Sequence, residues 1–178
     1  MIKGYIKILE EGKFVEKMIA AKELKKIAEK DPESLIPYYA DLVEILKNPD
    51  VKVSWATMFL LSPMAIYRPH MAYEHLGLFA ALADGTSVIS RDHYVRILTV
   101  LAVHEEYKDA CLTLLIDEVM KAPVNQLPSY ATSAVSVADH THKARLEKVI
   151  ASRLPDTIDY PPKTKKLQQA LRKLSQQK

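Results

Sequence analysis

Histidine, cysteine and carboxylate are the side chains best able to do chemistry near neutral pH, so their spacing is the first thing to weigh. The chain has six histidines. His70 and His75 are five residues apart, which on a helix separates them by about 140° rather than placing them on one face. His140 and His142 follow Asp139 at a turn, a run that offers two imidazoles and a carboxylate to a metal. His104 and Glu105 form a further pair. The single cysteine, Cys111, sits in the apolar run DACLTLLI, the setting of a buried structural thiol rather than a nucleophile. Glu105-Glu106 and Asp117-Glu118 are adjacent, so on a helix their carboxylates point apart into solvent. No Gly-rich phosphate loop and no Gly-x-Ser-x-Gly turn occurs, which removes two common routes to group transfer. These residues predict no catalytic group, no metal site and no cofactor, with the histidines at turns and on the surface.

The elements that would position any site come from a repeat of about 37 residues. Leu24, Leu61, Leu98 and Ala134 fall in step, followed by Ile27, Met64, Leu101 and Val137, and then by Ala28, Ala65, Ala102 and Ala138. A second ladder runs Leu42, Leu78, Leu115, Ile150, then Leu46, Leu82, Val119, Leu154. Two apolar ladders sharing one period predict an all-α stack of helical hairpins, each burying its apolar face against its neighbours.

Four units can be drawn. The first begins near Lys13, with a helix FVEKMIAAKELKKIAEK that places Val15, Met18, Ile19, Leu24 and Ile27 on one side. Asp31 and Pro32 stop it, with Asp expected as cap, and the next helix begins near Pro37. Unit two holds VKVSWATMFLLSPMA, which Pro63 bends or ends, then a helix HMAYEHLGLFAALA after Pro69. Unit three pairs DHYVRILTVLAV with KDACLTLLIDEVM, and unit four pairs PSYATSAVSVA with KARLEKVIASRL. Pro155, Pro161 and Pro162 mark a stiff linker to a short final helix.

The run AAKELKKIAEKDPESLIPYYADLVEILKNPDVKVSWATMFLL resembles the HEAT/armadillo class of helical repeats. Its Asp50-Val51-Lys52 matches the Asp-x-Val-Lys/Arg entry of that class, with a weaker echo at Tyr94-Val95-Arg96. The resemblance covers roughly residues 13–154 and implies a right-handed α-α superhelix, a solenoid of about four HEAT-like hairpins with a C-terminal capping helix. The domain division expected is a HEAT-like solenoid over 1–160 and a basic tail helix over 161–178. Within that class, HEAT-like deoxyhypusine hydroxylases hold iron through a set of His-Glu pairs, and this chain has one, at His104-Glu105. HEAT-like DNA glycosylases that excise alkylated bases use aromatic and basic residues on a concave face. Here the one tryptophan, Trp55, takes a core register, while Tyr67, Arg68 and His70 cluster at a turn where they could touch a phosphate.

Charge separates the tail from the body. The chain carries +3 overall, yet residues 161–178 hold five lysines, one arginine and no acid, so the other 160 residues carry −3. An acidic body lacks the basic face a nucleic-acid-binding solenoid needs. Along the tail, Leu167, Ala170, Leu171 and Leu174 form a stripe. It reads either as a helix capping unit four or as a basic amphipathic helix for a membrane surface or an acidic partner. No apolar run reaches the roughly 20 residues of a membrane span, and the N-terminus has no signal-peptide core. With one cysteine, a cytoplasmic location is expected.

What is left for function is the inner surface formed by the second helices. Tyr38 and Asp41 fall off the buried stripe in unit one and Tyr73 and Glu74 in unit two. Asp109 and Asp117 do so in unit three, and Lys143 and Glu147 in unit four. Tyrosine beside acid suits protein or peptide recognition. The expectation is a non-catalytic scaffold or adaptor that binds a protein partner, or a second copy of itself, with Tyr38, Asp41, Tyr73, Glu74 and Asp117 as contacts. The alternative is a nucleic-acid binder of the DNA alkylation repair type or a His-Glu metal enzyme.

Overall fold

The computed structural model describes residues 1–85 and 87–176; Lys178 of the basic tail lies outside them. Among the described residues the chain forms eleven α-helices joined by turns and two short 3-10 segments, with no strand. Contacts divide it into two compact units, 1–97 and 98–178.

In the first unit, α1 (Ile2–Glu11) packs on α2 (Phe14–Lys30). A 3-10 segment, Pro32–Tyr38, leads into α3 (Tyr39–Leu46), and α4 (Val51–Met64) packs on both α2 and α3. The order of contacts fixes direction. Lys52 lies over the Phe14 ring at the start of α4 and α2, and Lys25 lies 4.3 Å from the Phe59 ring centroid further along both. The two helices therefore run side by side in parallel, about one repeat apart. Two short helices follow, α5 (Pro69–Glu74) and α6 (Leu76–Ala83), and then α7 (Val88–Leu101), within which the division between units falls. The second unit holds α8 (Glu105–Lys121), α9 (Leu127–Val137), α10 (His140–Arg153), a 3-10 turn over Leu154–Thr157, and α11 (Pro161–Gln176). Here α8 packs on α9 and α10, and α11 packs on both α9 and α10.

Local chemistry accounts for the boundaries. Asp50 caps α4, its Oδ1 accepting from the Lys52 amide at 2.9 Å and from Val53 at 3.4 Å. This gives the Asp50-Val51-Lys52 run a physical role. Asp139 does the same for α10, accepting from the His142 amide at 2.9 Å. Pro63 sits in the last turn of α4, which ends one residue later. At the far end of α8 the guanidinium of Arg153 gathers the last carbonyls of the helix, of which Val119's also accepts from the Ala122 amide at 3.4 Å. Nη1 donates to Val119 at 3.1 Å and to Met120, Nη2 donates to Ala122 at 2.8 Å, and Nε donates to Asp156 at 2.5 Å.

The ladders are the core. Leu24, Leu42, Leu46, Leu61, Met64, Leu98, Leu101, Leu115, Val119, Ala134 and Ile150 are all buried. On α11, Leu167, Ala170 and Leu174 are buried, so the tail's apolar stripe faces its own unit.

Four expectations need correction. The chain opens with α1, ahead of Lys13, and its Ile6 and Leu9 are buried. On α2, Val15 and Ile19 are 67% and 59% exposed. The buried stripe there is Leu24 with Ala20, Ala21 and Ala28, three small residues that let α1, the 3-10 segment and α4 close around the helix. Asp31 makes no side-chain capping bond; Pro32 alone opens the 3-10 turn, and Ser34 donates back to the Asp31 carbonyl at 2.8 Å. The helix after Pro69 is broken at His75. The His75 amide bonds the Ala72 carbonyl, a tighter step, which leaves the Met71 carbonyl to accept from the Tyr39 hydroxyl at 2.9 Å. The break shifts the second ladder by one residue in α6, where Phe79 and Ala83 are buried and Leu78 and Leu82 are only half-buried.

Candidate functional site

Two surfaces, one in each unit, carry more chemistry than the fold requires. In the second unit it is the groove between α9 and α11. No charged residue occurs in α9, LPSYATSAVSV, whereas α11 carries Lys163, Lys165, Lys166, Arg172 and Lys173 and no acid. Packing the two helices together leaves an open groove of about 650 Å³. Lys163, Lys166 and Lys173 line its α11 side, and Ser129, Thr132, Ser133 and Ser136 line its α9 side. No described carboxylate lines it.

Several of these groups are already oriented. The Lys163 ammonium donates to Asn125 Oδ1 at 2.6 Å and lies 3.9 Å above the Tyr160 ring, which fixes it at one end of the groove. Thr132 Oγ1 donates to the Pro128 carbonyl at 2.7 Å, and Ser136 Oγ to the Ser133 carbonyl at 2.7 Å. Their hydroxyl protons are thus used within α9, and what remains to a visitor is the acceptor lone pairs.

The first unit places four of the five sequence-predicted contacts around one seam. Tyr39, buried at the start of α3, reaches α5 through its bond to Met71, and its ring lies 5.6 Å from the His75 ring. Burial first, and the nearby Glu74 carboxylate second, hold the Tyr39 phenol well above its ordinary range, so it stays a donor. Tyr38 is half-buried beside it, at the end of the 3-10 segment, and Asp41 is exposed on α3. Tyr73 and Glu74, both exposed, close α5. Asp117 belongs to the second unit, where Arg145 Nη2 donates to its Oδ1 at 2.7 Å.

The residues first weighed for chemistry are bound into structure. Cys111 is fully buried and its thiol is pushed up to about 12 by that burial. His142 is a correction: it is a buried residue, 6% exposed, rather than a turn or surface one. Its Nδ1 lies 2.8 Å from Asp139 and its Nε2 lies 3.3 Å from the exposed Asp109. The carboxylates flank opposite edges of the ring, so the three groups do not converge on one point. No cluster of three metal-ligating side chains occurs among the described residues. Burial works against the charge of Asp139, but hydrogen bonds and charge from His142, with a smaller part from His140, bring its carboxyl below the usual 3.8. The His104 ring sits beside Tyr107 at the start of α8. Trp55 is half-buried on α4, and the Tyr67–His70 turn is exposed apart from a half-buried Pro69.

A residue that sequence reasoning passed over is His93. Its ring meets the edge of Phe59 at 5.3 Å, with Lys25 on that same ring. Burial chiefly, then Arg96 and Lys25 against the opposing Asp92, lowers His93 to about 4. The lining of the α9–α11 groove was likewise unread. The tail's charge is visible in the sequence, but the partner helix that turns it into a groove lies more than 20 residues away. Compared with known proteins, the chain matches no family model, no curated protein and no solved structure.

Proposed function

We propose that this protein is a non-catalytic adaptor built as a HEAT-like solenoid of about four hairpins, with α11 as its terminal cap, and that it binds a protein partner along its concave face. The parallel run of α2 and α4 one repeat apart supports the stack. The observation that carries the binding role is the α3–α5 seam. The buried Tyr39–Met71 bond fixes the backbone on which Tyr38, Asp41, Tyr73 and Glu74 stand. Tyrosines held on rigid helices supply contact area at small entropic cost, and flanking acids favour a basic or amide-rich partner. Asp117 adds a weaker contact in the second unit, since Arg145 already neutralises it.

The test is capture of partners from nuclease-treated lysate by the intact chain, with the double variant Tyr38→Ala/Tyr73→Ala beside it. A protein retained stoichiometrically by the native chain, and at least about tenfold less by the variant, supports the adaptor. Equal retention by both, or retention of nucleic acid alone from untreated lysate, rules it out.

A further inference from the structure

We infer that the α9–α11 groove is a second, separate binding site, and that its ligand is an acidic peptide segment in extended conformation. The inference is independent of the α3–α5 seam and stands if that reading fails. It starts from uncompensated charge. On other helices several lysines find an acid about one turn away, among them Lys7–Glu11, Lys25–Glu29, Lys26–Glu23, Lys47–Glu44 and Lys108–Glu105. In α11 that is impossible, because the helix has five cations and no acid, and α9 beside it has no charge of either sign. A row of cations with no acid on either helix, set in a groove no described carboxylate enters, is complementary to an anionic ligand.

The geometry then selects the ligand. Lys163, Lys166 and Lys173 lie on the groove side of one helix, and ten residues of helix rise about 15 Å. An extended peptide places alternate side chains on one side about 7 Å apart, so carboxylates at alternate positions span a similar length. Of the four hydroxyls on the opposite wall, those of Thr132 and Ser136 spend their protons within α9 and present acceptors. Acceptors match the N–H groups of a peptide backbone. They do not match phosphodiester oxygens, which are acceptors themselves. No aromatic ring lines the groove, and single-stranded nucleic acid relies on such rings for stacking. A peptide matches both the lysines and the Thr132 and Ser136 acceptors, whereas an oligonucleotide matches the lysines but not those acceptors.

The probe is a fluorescein-labelled 12-residue peptide of alternating Glu and Ser, followed by anisotropy on the full chain near physiological salt. The controls are the same peptide with Gln for Glu and a labelled 12-nucleotide oligothymidylate. The Glu peptide is expected to bind at least about tenfold more tightly than the Gln peptide or the oligonucleotide. Lys166→Glu/Lys173→Glu is expected to lower that affinity at least about tenfold. Lys165→Glu/Arg172→Glu, which changes the same charge beside a different depression on α11, should lower it less than about threefold, since salt screens charges beyond about 8 Å. Equal losses in the two double variants would show diffuse attraction to a basic helix and overturn the site. So would tighter binding of the oligonucleotide, or no binding of the Glu peptide. All four positions are half-buried or exposed on a helix whose core face is Leu167, Ala170 and Leu174, so the variants retain the packing that holds α11 in place.

Discussion

The α3–α5 seam and the α9–α11 groove each lie between helices of one unit, yet they are opposite in chemistry. The seam shows tyrosine and carboxylate and is held from beneath by a neutral bond, Tyr39 to Met71. The groove shows ammonium and hydroxyl, in a unit pinned by ionic groups, Arg153 on the end of α8 and His142 between two aspartates. The buried ladders recur between the units; the off-stripe positions do not. A repeat constrains the faces that must be buried and leaves the remaining positions to whatever each surface does. The contrast also predicts that the units respond differently to lost pins, to acid and to lost surface charge.

The largest effect is expected from Arg153→Ala. It removes the charge-assisted bonds to the Val119, Met120 and Ala122 carbonyls at the end of α8, a cost of about 3 kcal/mol. Amide exchange should show the loss in residues 98–176, with 1–97 little changed. Arg153→Lys should recover little of it, because an ammonium cannot reach several carbonyls in a plane. The counterpart in the first unit, Tyr39→Phe, deletes a neutral bond and should cost about 1–2 kcal/mol, localised to residues 1–97. If either variant loosens both units equally, the division between them is not an energetic one.

Acid separates the units by pH window. Unfolded, His93 takes up a proton near 6.5; folded, it does so only near 4. The unfolded chain therefore binds more protons between these values, and the first unit loses stability as pH falls from 6.5 to 4. Asp139 behaves otherwise. Its folded carboxyl titrates below the ordinary 3.8, so its contribution is complete above that pH and is lost only as pH falls further. Protection of residues 1–97, taken relative to the intrinsic exchange rate at each pH, should accordingly fall as pH drops from 6.5 to 4, and His93→Phe should flatten that fall while leaving the second unit's profile unchanged. An unaltered slope in His93→Phe would remove His93 as its source.

Much of this scaffold could be read from the sequence, and the failures have physical causes. The ladders through Leu24, Leu61 and Leu98 appeared because burial forces apolar residues to recur at the helical period. The slip in α6 did not, because it comes with the break at His75, where the freed Met71 carbonyl is taken by Tyr39, 32 residues away. In α1, Ile2, Tyr5, Ile6 and Leu9 do form an i, i+3, i+4, i+7 stripe, a signal present but outside the repeat that framed the reading. Val15 and Ile19 misled because apolar residues on a helix face do not say which face meets a neighbour. The alanines made the closer contact. For the sites the limit is sharper. Tyr38, Asp41, Tyr73 and Glu74 could be named as off-stripe, but Tyr39 as their anchor and α9 as the second wall of the basic groove required the tertiary fold.

Asp117 gives the smallest and most discriminating effect. By pattern it belongs with Asp41 and Glu74, but its carboxylate meets Arg145 at 2.7 Å while Asp41 and Glu74 stand exposed. With side chains 45% and 50% exposed, such a pair contributes less than about 1 kcal/mol, so Asp117→Asn should leave unfolding almost unchanged. It should also leave partner capture nearly unchanged, because the negative charge it removes was already compensated. Removing it exposes Arg145 and makes the local surface more basic. Asp41→Asn and Glu74→Gln should weaken capture instead, since their charge faces solvent without compensation from such a pair. Should Asp117→Asn weaken capture as much as they do, Asp117 would be a full contact of the partner rather than the weaker one its pairing with Arg145 implies.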